Sequence, residues 1–83
     1  MLEFRYDTQL LIEGHDLDEE QIRAHFLAHF KGDCLLVVGD EELIKIHFHT
    51  NMPWEVLEYC AGLGEIYDIV IEDMDRQSRR LKG

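Results

Sequence analysis

Four short apolar segments of this chain have the length and residue pattern of β-strands, and two segments between them carry helix signals. The strand-like segments are residues 4–12, 35–38, 43–49 and 66–71. The order is β-α-β-β-α-β, for which right-handed crossovers predict a ferredoxin-like, split βαβ fold. We therefore expect an α+β two-layer sandwich with a four-stranded antiparallel sheet in the order 4-1-3-2. The two helices should cover one face of this sheet and leave the other open.

Both helical segments have an apolar stripe and a start signal. In the first, Ile22, Phe26 and Phe30 recur at four-residue spacing, which places them on one face of a helix. An aspartate within residues 16–18 can cap its N-terminus. The second begins at Pro53, because proline is favoured in a first helical turn, and it ends at one of the glycines that follow.

The length bounds the domain organisation. A chain of 83 residues has room for one domain with one core. We predict that residues 1–75 form the ferredoxin-like domain. Residues 76–83 are polar and basic, and we predict a tail or linker there, with an exposed helix start as the alternative.

The chain is strongly acidic, with a formal net charge of −10 at pH 7. Nucleic-acid phosphates and anionic membrane surfaces would be repelled, so neither is expected as a partner. No stretch approaches the roughly 18 apolar residues of a membrane span, so we expect no membrane insertion.

The N-terminus lacks a signal-peptide pattern, and Cys34 and Cys60 form no CxxC pair. We expect a cytoplasmic chain in which both thiols are free and buried.

The strongest candidate site is a pair of histidines in the third strand-like segment. His47 and His49 are two residues apart, so their side chains leave one face of a strand with Cα atoms roughly 7 Å apart. The first and third strands are neighbours in the predicted topology, and the expected register turns Asp7 to the same open face. Two imidazoles and a carboxylate can hold a divalent metal and leave one position for water or another group. Zinc, manganese, iron and nickel all suit these donors.

Other interpretations stay open at this point. Asp7, His47 and His49 can be polar residues on a solvated or dimerising face. They can also form the centre of a small metal-dependent hydrolase or phosphotransfer enzyme, in which the metal activates water. A metal-free regulatory domain that binds a ligand is a further alternative. His25 and His29 lie four residues apart on the first helix, but they lack the glutamate of the HExxH pattern, which favours a solvated helix face.

Several separated blocks of the sequence match one known family in order and spacing. They are residues 6–9 (YDTQ), 32–40 (GDCLLVVGD), 45–51 (KIHFHTN), 53, 55–59 (EVLEY), 64–65 and 71–77 (IEDMDRQ). Together they resemble the middle domain of the catalytic component of bacterial fatty acid kinase. Proteins of this family are also described as DhaL- or DAK2-domain proteins, related to dihydroxyacetone kinase. The likeness covers roughly residues 4–77, nearly the whole chain.

The resemblance implies a part in a kinase system. In that family an N-terminal DhaL-like domain binds nucleotide and magnesium, and a C-terminal domain engages a DegV-like protein that carries the fatty acid. The implied partners are therefore flanking kinase domains or a DegV-like fatty-acid-binding protein, and the open sheet would also suit a homodimer. Because the chain lacks the nucleotide-binding domain, we expect a non-catalytic domain that phosphorylates nothing by itself.

The resemblance also implies a metal and its ligands. Family members place a metal, taken to be zinc, between a cysteine and the two histidines of a His-x-His-Thr motif. His47 and His49 fall on those histidines, Asp7 falls on the cysteine, and Gln9 falls on a nearby glutamate. We therefore expect a divalent metal, with zinc first, at Asp7, His47 and His49. An oxygen ligand in place of sulfur should weaken the preference for zinc.

Overall fold

The computed structural model describes residues 3–80 and contains four strands and three helices within that range. The elements are β1 (Tyr6–Glu13), α1 (Glu19–His29), β2 (Gly32–Gly39), β3 (Leu43–Thr50), α2 (Pro53–Ala61), β4 (Glu65–Asp73) and α3 (Met74–Arg80). The strands form one antiparallel sheet in the order β2-β3-β1-β4. This confirms the predicted ferredoxin-like α+β sandwich and its strand order.

The core lies between the sheet and helices α1 and α2. Alternate residues of the two central strands form its sheet side, and each is at most 2% exposed: Leu10, Ile12, Ile44, Ile46 and Phe48. The helices contribute Ile22, Phe26, Val56 and Cys60, and Leu17 and Val37 complete the core cluster. Since side chains alternate across a strand, the residues between these positions on β1 and β3 face the open side.

The helix starts follow from local chemistry. Asp18 caps α1, because its side-chain oxygen accepts a hydrogen bond from the backbone N–H of Gln21 at 3.1 Å. Pro53 occupies the first turn of α2, as predicted. No helix within residues 3–80 is long and apolar enough to cross a membrane.

Strand β4 does not alternate regularly between the two faces of the sheet. Tyr67 and Ile71 do not share one face, because Asp68 has a φ of 51° and interrupts the pairing of β4 with β1. Tyr67 pairs with Leu11 on the open side, whereas Ile71 pairs with the buried Thr8. Because β4 has one extra residue at this point, the residues before it point to the opposite face of the sheet from the one that regular alternation would give.

The C-terminal helix α3 is tied to the start of β1. Arg5 Nε donates a hydrogen bond to Asp73 Oδ1 at 2.9 Å, and the Met74 N–H donates to the Arg5 carbonyl at 2.9 Å. The predicted tail at 76–83 begins inside this helix, and residues 81–83 lie outside the described part of the chain. The start of α3 therefore lies beside the residue that precedes β1.

The Arg5–Asp73 ion pair predicts a pH-dependent contribution to stability. The hydrogen bond from Arg5 lowers the pKa of the Asp73 carboxyl from 3.8 to about 2. The unfolded chain then binds this proton more readily, so the stabilisation is present above about pH 4 and is lost toward about pH 2. We expect Asp73→Asn to lower the free energy of unfolding in urea at neutral pH, and the difference from wild type should shrink through that range.

The control for this experiment is Glu41→Gln, which removes one exposed carboxylate of the β2–β3 turn. Its difference from wild type should be small at every pH, because exposed substitutions away from specific contacts change stability by less than about 0.5 kcal/mol. A deficit of Asp73→Asn that stays constant from neutral pH to about pH 2 would contradict the assignment.

Candidate metal centre

Asp7 of β1 and both histidines of β3 meet on the open face of the sheet. The antiparallel register places Asp7 directly opposite His49. Asp7 Oδ1 lies 3.0 Å from His47 Nε2 and 3.8 Å from His49 Nε2. The two Nε2 atoms are 3.2 Å apart. The structure thus brings together all three side chains that the sequence singled out.

The spacing of these three donor atoms suits one metal ion. Two atoms bound to zinc at about 2.0–2.1 Å in a tetrahedral arrangement lie about 3.3–3.4 Å apart. The observed separations of 3.0, 3.2 and 3.8 Å bracket that value. Asp7 Oδ1 is buried, and although His47 Nε2 lies 3.0 Å away, no group of the described residues is oriented to donate a hydrogen bond to it. A buried carboxylate oxygen without a hydrogen bond is costly, so a cation at this position would satisfy it.

Comparison with known proteins assigns the chain to a family. Residues 3–81 match the FakA-like middle domain, which is the middle domain of fatty acid kinase A-like proteins. The chain belongs to this family. It is 34% identical over 84 residues to an uncharacterized protein of Staphylococcus haemolyticus, across 96% of this chain. It is 39% identical over 82 residues to an uncharacterized protein of Staphylococcus aureus (strain USA300), across 94% of this chain.

This middle domain spans 15% of the length of each of those two relatives. The family match confirms the family resemblance given by the YDTQ, GDCLLVVGD and KIHFHTN blocks. The candidate metal centre lies on two of those blocks, since Asp7 belongs to the first, and His47 and His49 belong to the third.

The open sheet face around the three metal ligands carries both apolar and polar side chains. Leu36 of β2 pairs with His47, and Val70 of β4 pairs with Gln9, so both side chains stand on the open face. They are 42% and 43% exposed, as is usual for apolar residues on an uncovered sheet face. Gln9 itself lies opposite His47. The metal ligands are therefore set in a mixed apolar and polar surface on which the described residues place no helix.

Two residues that sequence reasoning missed lie beside His49. Asp33 pairs with His49 across the β2–β3 ladder, and its Oδ1 is 3.6 Å from His49 Nδ1. Cys34 has a φ of 55° at a break in the ladder and is exposed, so the expectation that it is buried is wrong. Desolvation and the neighbouring Asp33 carboxylate raise the pKa of its thiol. The predicted strand begins only at Leu35, which leaves both residues in a loop.

Cys60 matches the expectation for a buried thiol. It is 0% exposed in the core, and burial raises the pKa of its thiol to about 12. A thiol in this state is unreactive, so Cys34 is the accessible cysteine of the middle domain.

The helix pair His25 and His29 forms a different arrangement. The His25 ring stacks on Tyr59 of α2, with ring centroids 3.8 Å apart and an interplanar angle of 1°. His29 is exposed, and no third ligating group within residues 3–80 joins the two imidazoles. His25 therefore packs α1 against α2 as part of the aromatic layer beside the core, whereas His29 lies on the solvated face.

The stacked His25 predicts loss of stability on mild acidification. Desolvation first, and the neighbouring His29 second, lower the pKa of His25 below its usual 6.5. The unfolded chain binds this proton more readily, so the contribution is present above about pH 6.5 and declines as the pH falls. In thermal unfolding between about pH 7.5 and about pH 5, His25→Gln should lose less stability than wild type.

The control for His25 is His15→Gln, which removes an exposed imidazole that lies outside the contact between α1 and α2. It should leave the pH dependence close to that of wild type. Identical pH profiles for wild type and His25→Gln would contradict a role for His25 protonation.

Proposed function

We propose that this chain is a non-catalytic middle domain of a DhaL-type, dihydroxyacetone kinase-like fatty acid kinase protein. In this proposal Asp7, His47 and His49 hold a divalent metal, and the open sheet contacts other domains or subunits. The observation that carries the metal site is the convergence of three donor atoms within 3.8 Å of one another. The match over residues 3–81 supports the place of the domain in a fatty acid kinase system.

Zinc is the proposed metal, because two imidazoles and one carboxylate at tetrahedral separations form a donor set that zinc favours. Bound zinc would supply a fixed cross-link between the strands and an open position for a fourth ligand. The fold of the chain holds the three ligands in place before the metal binds. Asp7 on β1 and the two histidines on β3 are held by the central strand pair. Asp33 Oδ1 lies 3.6 Å from His49 Nδ1, so its negative charge would favour the proton on Nδ1 and leave Nε2 free for the metal.

The open sheet face is the proposed contact surface. Leu36 and Val70 flank the metal ligands and are more than 40% exposed. Arg5 and Met74, just before β1 and at the start of α3, lie at the Asp7 end of the same sheet. The partners that this proposal includes are flanking kinase domains, a DegV-like fatty-acid-binding protein and a second copy of this chain.

The proposal is tested by metal analysis of the purified 83-residue chain, stripped with a chelator and reloaded with zinc. We expect about one zinc per chain, held by Asp7, His47 and His49. We also expect no ATP-dependent formation of acyl phosphate by the chain alone. Absence of bound zinc at micromolar metal would contradict the site, and phosphotransfer by the chain alone would contradict the non-catalytic role.

A further inference from the structure

His49 has metal-ligating groups on both sides of its ring. On the Nε2 side lie Asp7 and His47, which form the centre proposed above. On the Nδ1 side lies Asp33, with Cys34 next to it. Asp33, Cys34 and His49 each offer one ligating atom, and these three atoms lie within 4.8 Å of one another.

We propose that Asp33, Cys34 and the Nδ1 side of His49 form a second, thiol-containing metal site, which overlaps the first site and cannot be filled together with it. This site goes beyond the function proposed above, because two of its three donors do not belong to that centre. It would take a soft divalent or monovalent ion, since a thiolate is a softer donor than an imidazole or a carboxylate.

The exclusion follows from the chemistry of one imidazole ring. A neutral imidazole carries one N–H group and one nitrogen with a free lone pair. When Nε2 binds a metal, the proton lies on Nδ1 and points toward Asp33 at 3.6 Å. When Nδ1 binds a metal, the proton lies on Nε2, and His47 Nε2 at 3.2 Å can accept a hydrogen bond from it. Each site therefore requires the tautomer that the other does not use.

The position of Cys34 fits a ligand. The break in the β2–β3 ladder between Asp33 and Leu36 sets Cys34 beside the open-face residue Asp33, and its side chain is exposed and accessible to an incoming ion. On binding, the thiol would release its proton to solvent and bind as the thiolate. Cys60 does not compete for the ion, because it is 0% exposed within the core.

Titration of the metal-free chain with cadmium tests the second site. Cadmium is soft, and a cadmium–thiolate bond adds a charge-transfer absorption in the ultraviolet that nitrogen and oxygen ligands do not give. We expect this band in wild type and its loss in Cys34→Ser. The band should persist in His47→Ala and Asp7→Asn, which disable only the first site. Bound cadmium should also protect Cys34 from alkylation by iodoacetamide, and each variant is checked for its fold by circular dichroism.

The outcomes separate the two proposals. Zinc binding without a cadmium–thiolate band in wild type would overturn the second site and leave the first intact. Loss of the band in His47→Ala with the fold retained would also overturn it, because Cys34 would then ligate the first centre. With zinc and cadmium both in excess, native mass spectrometry should show one ion per chain. Two ions per chain would require a bridging imidazolate and would overturn the exclusion.

Discussion

Replacing His49 with alanine is expected to weaken zinc binding by more than about 100-fold, because loss of even an outer-shell partner typically costs 10- to 100-fold. His49 supplies one of three donor atoms, and its Nε2 lies 3.2 Å from His47 Nε2. Its removal leaves one imidazole and one carboxylate. Such a change corresponds to about 2.7 kcal/mol or more of binding free energy. Competition with a chromophoric chelator at fixed pH measures it directly.

The matched control is His29→Ala, which removes an exposed imidazole of α1 that has no part in the centre. Its zinc affinity should equal that of wild type. Zinc at about 100 times its dissociation constant should also raise the free energy of unfolding of wild type by about 2.7 kcal/mol, and this gain should disappear in His49→Ala. An affinity of His49→Ala within a few-fold of wild type would show that Asp7, His47 and His49 do not bind zinc together.

The part of the site that sequence predicts lies on the two central strands. Both strands have one face in the core and one face open, so the alternation of Ile46 and Phe48 with His47 and His49 fixes which side chains point outward. A slip of one residue would bury both histidines, and the apolar pattern therefore determines the register. The same logic turns Asp7 outward beside them, where the structure places it.

The part that sequence does not predict depends on single residues in left-handed conformations. Cys34 and Asp68 have φ angles of 55° and 51°, and each lies where an edge strand shifts its pairing. Neither residue is a glycine, so the sequence gives no local signal for a bulge at these positions. The bulges depend on tertiary packing. The first bulge brings Cys34 to the surface beside His49, and the second turns Tyr67 to the open face.

Helix α3 is also not predictable from the apolar pattern. Its sequence, MDRQSRR, has no apolar stripe of the kind that marks a helix packed on a core. The helix begins where Arg5 and Asp73 meet, and Asp73 Oδ1 accepts a hydrogen bond from the backbone N–H of Arg76 at 3.0 Å. Because α3 is stabilised by these contacts at its N-terminus rather than by burial of an apolar face, hydrophobic periodicity does not predict it.

Replacing Phe26 with alanine is expected to lower the free energy of unfolding by about 3–5 kcal/mol, the usual cost of truncating a buried phenylalanine. Phe26 is 0% exposed, and its ring meets those of Phe30, Phe48 and Tyr59 edge-on, at centroid distances of 5.1, 5.2 and 5.9 Å. It thus joins α1 to both α2 and the sheet. A domain of 83 residues has a total stability of about 4–12 kcal/mol, so this loss can leave much of the chain unfolded at 37 °C.

Leu27→Ala is the matched control, because Leu27 follows Phe26 on the same helix but is 72% exposed. Its effect should be within about 0.5 kcal/mol, since it removes little buried surface and alanine favours helix. Both variants are compared with wild type by urea unfolding followed by circular dichroism. Equal losses in the two variants would mean that α1 does not pack on the sheet through the Phe26 face. If Phe26→Ala is too unstable to fold, saturating zinc should restore part of its structure, because the ligands on β1 and β3 lie on the opposite face of the sheet.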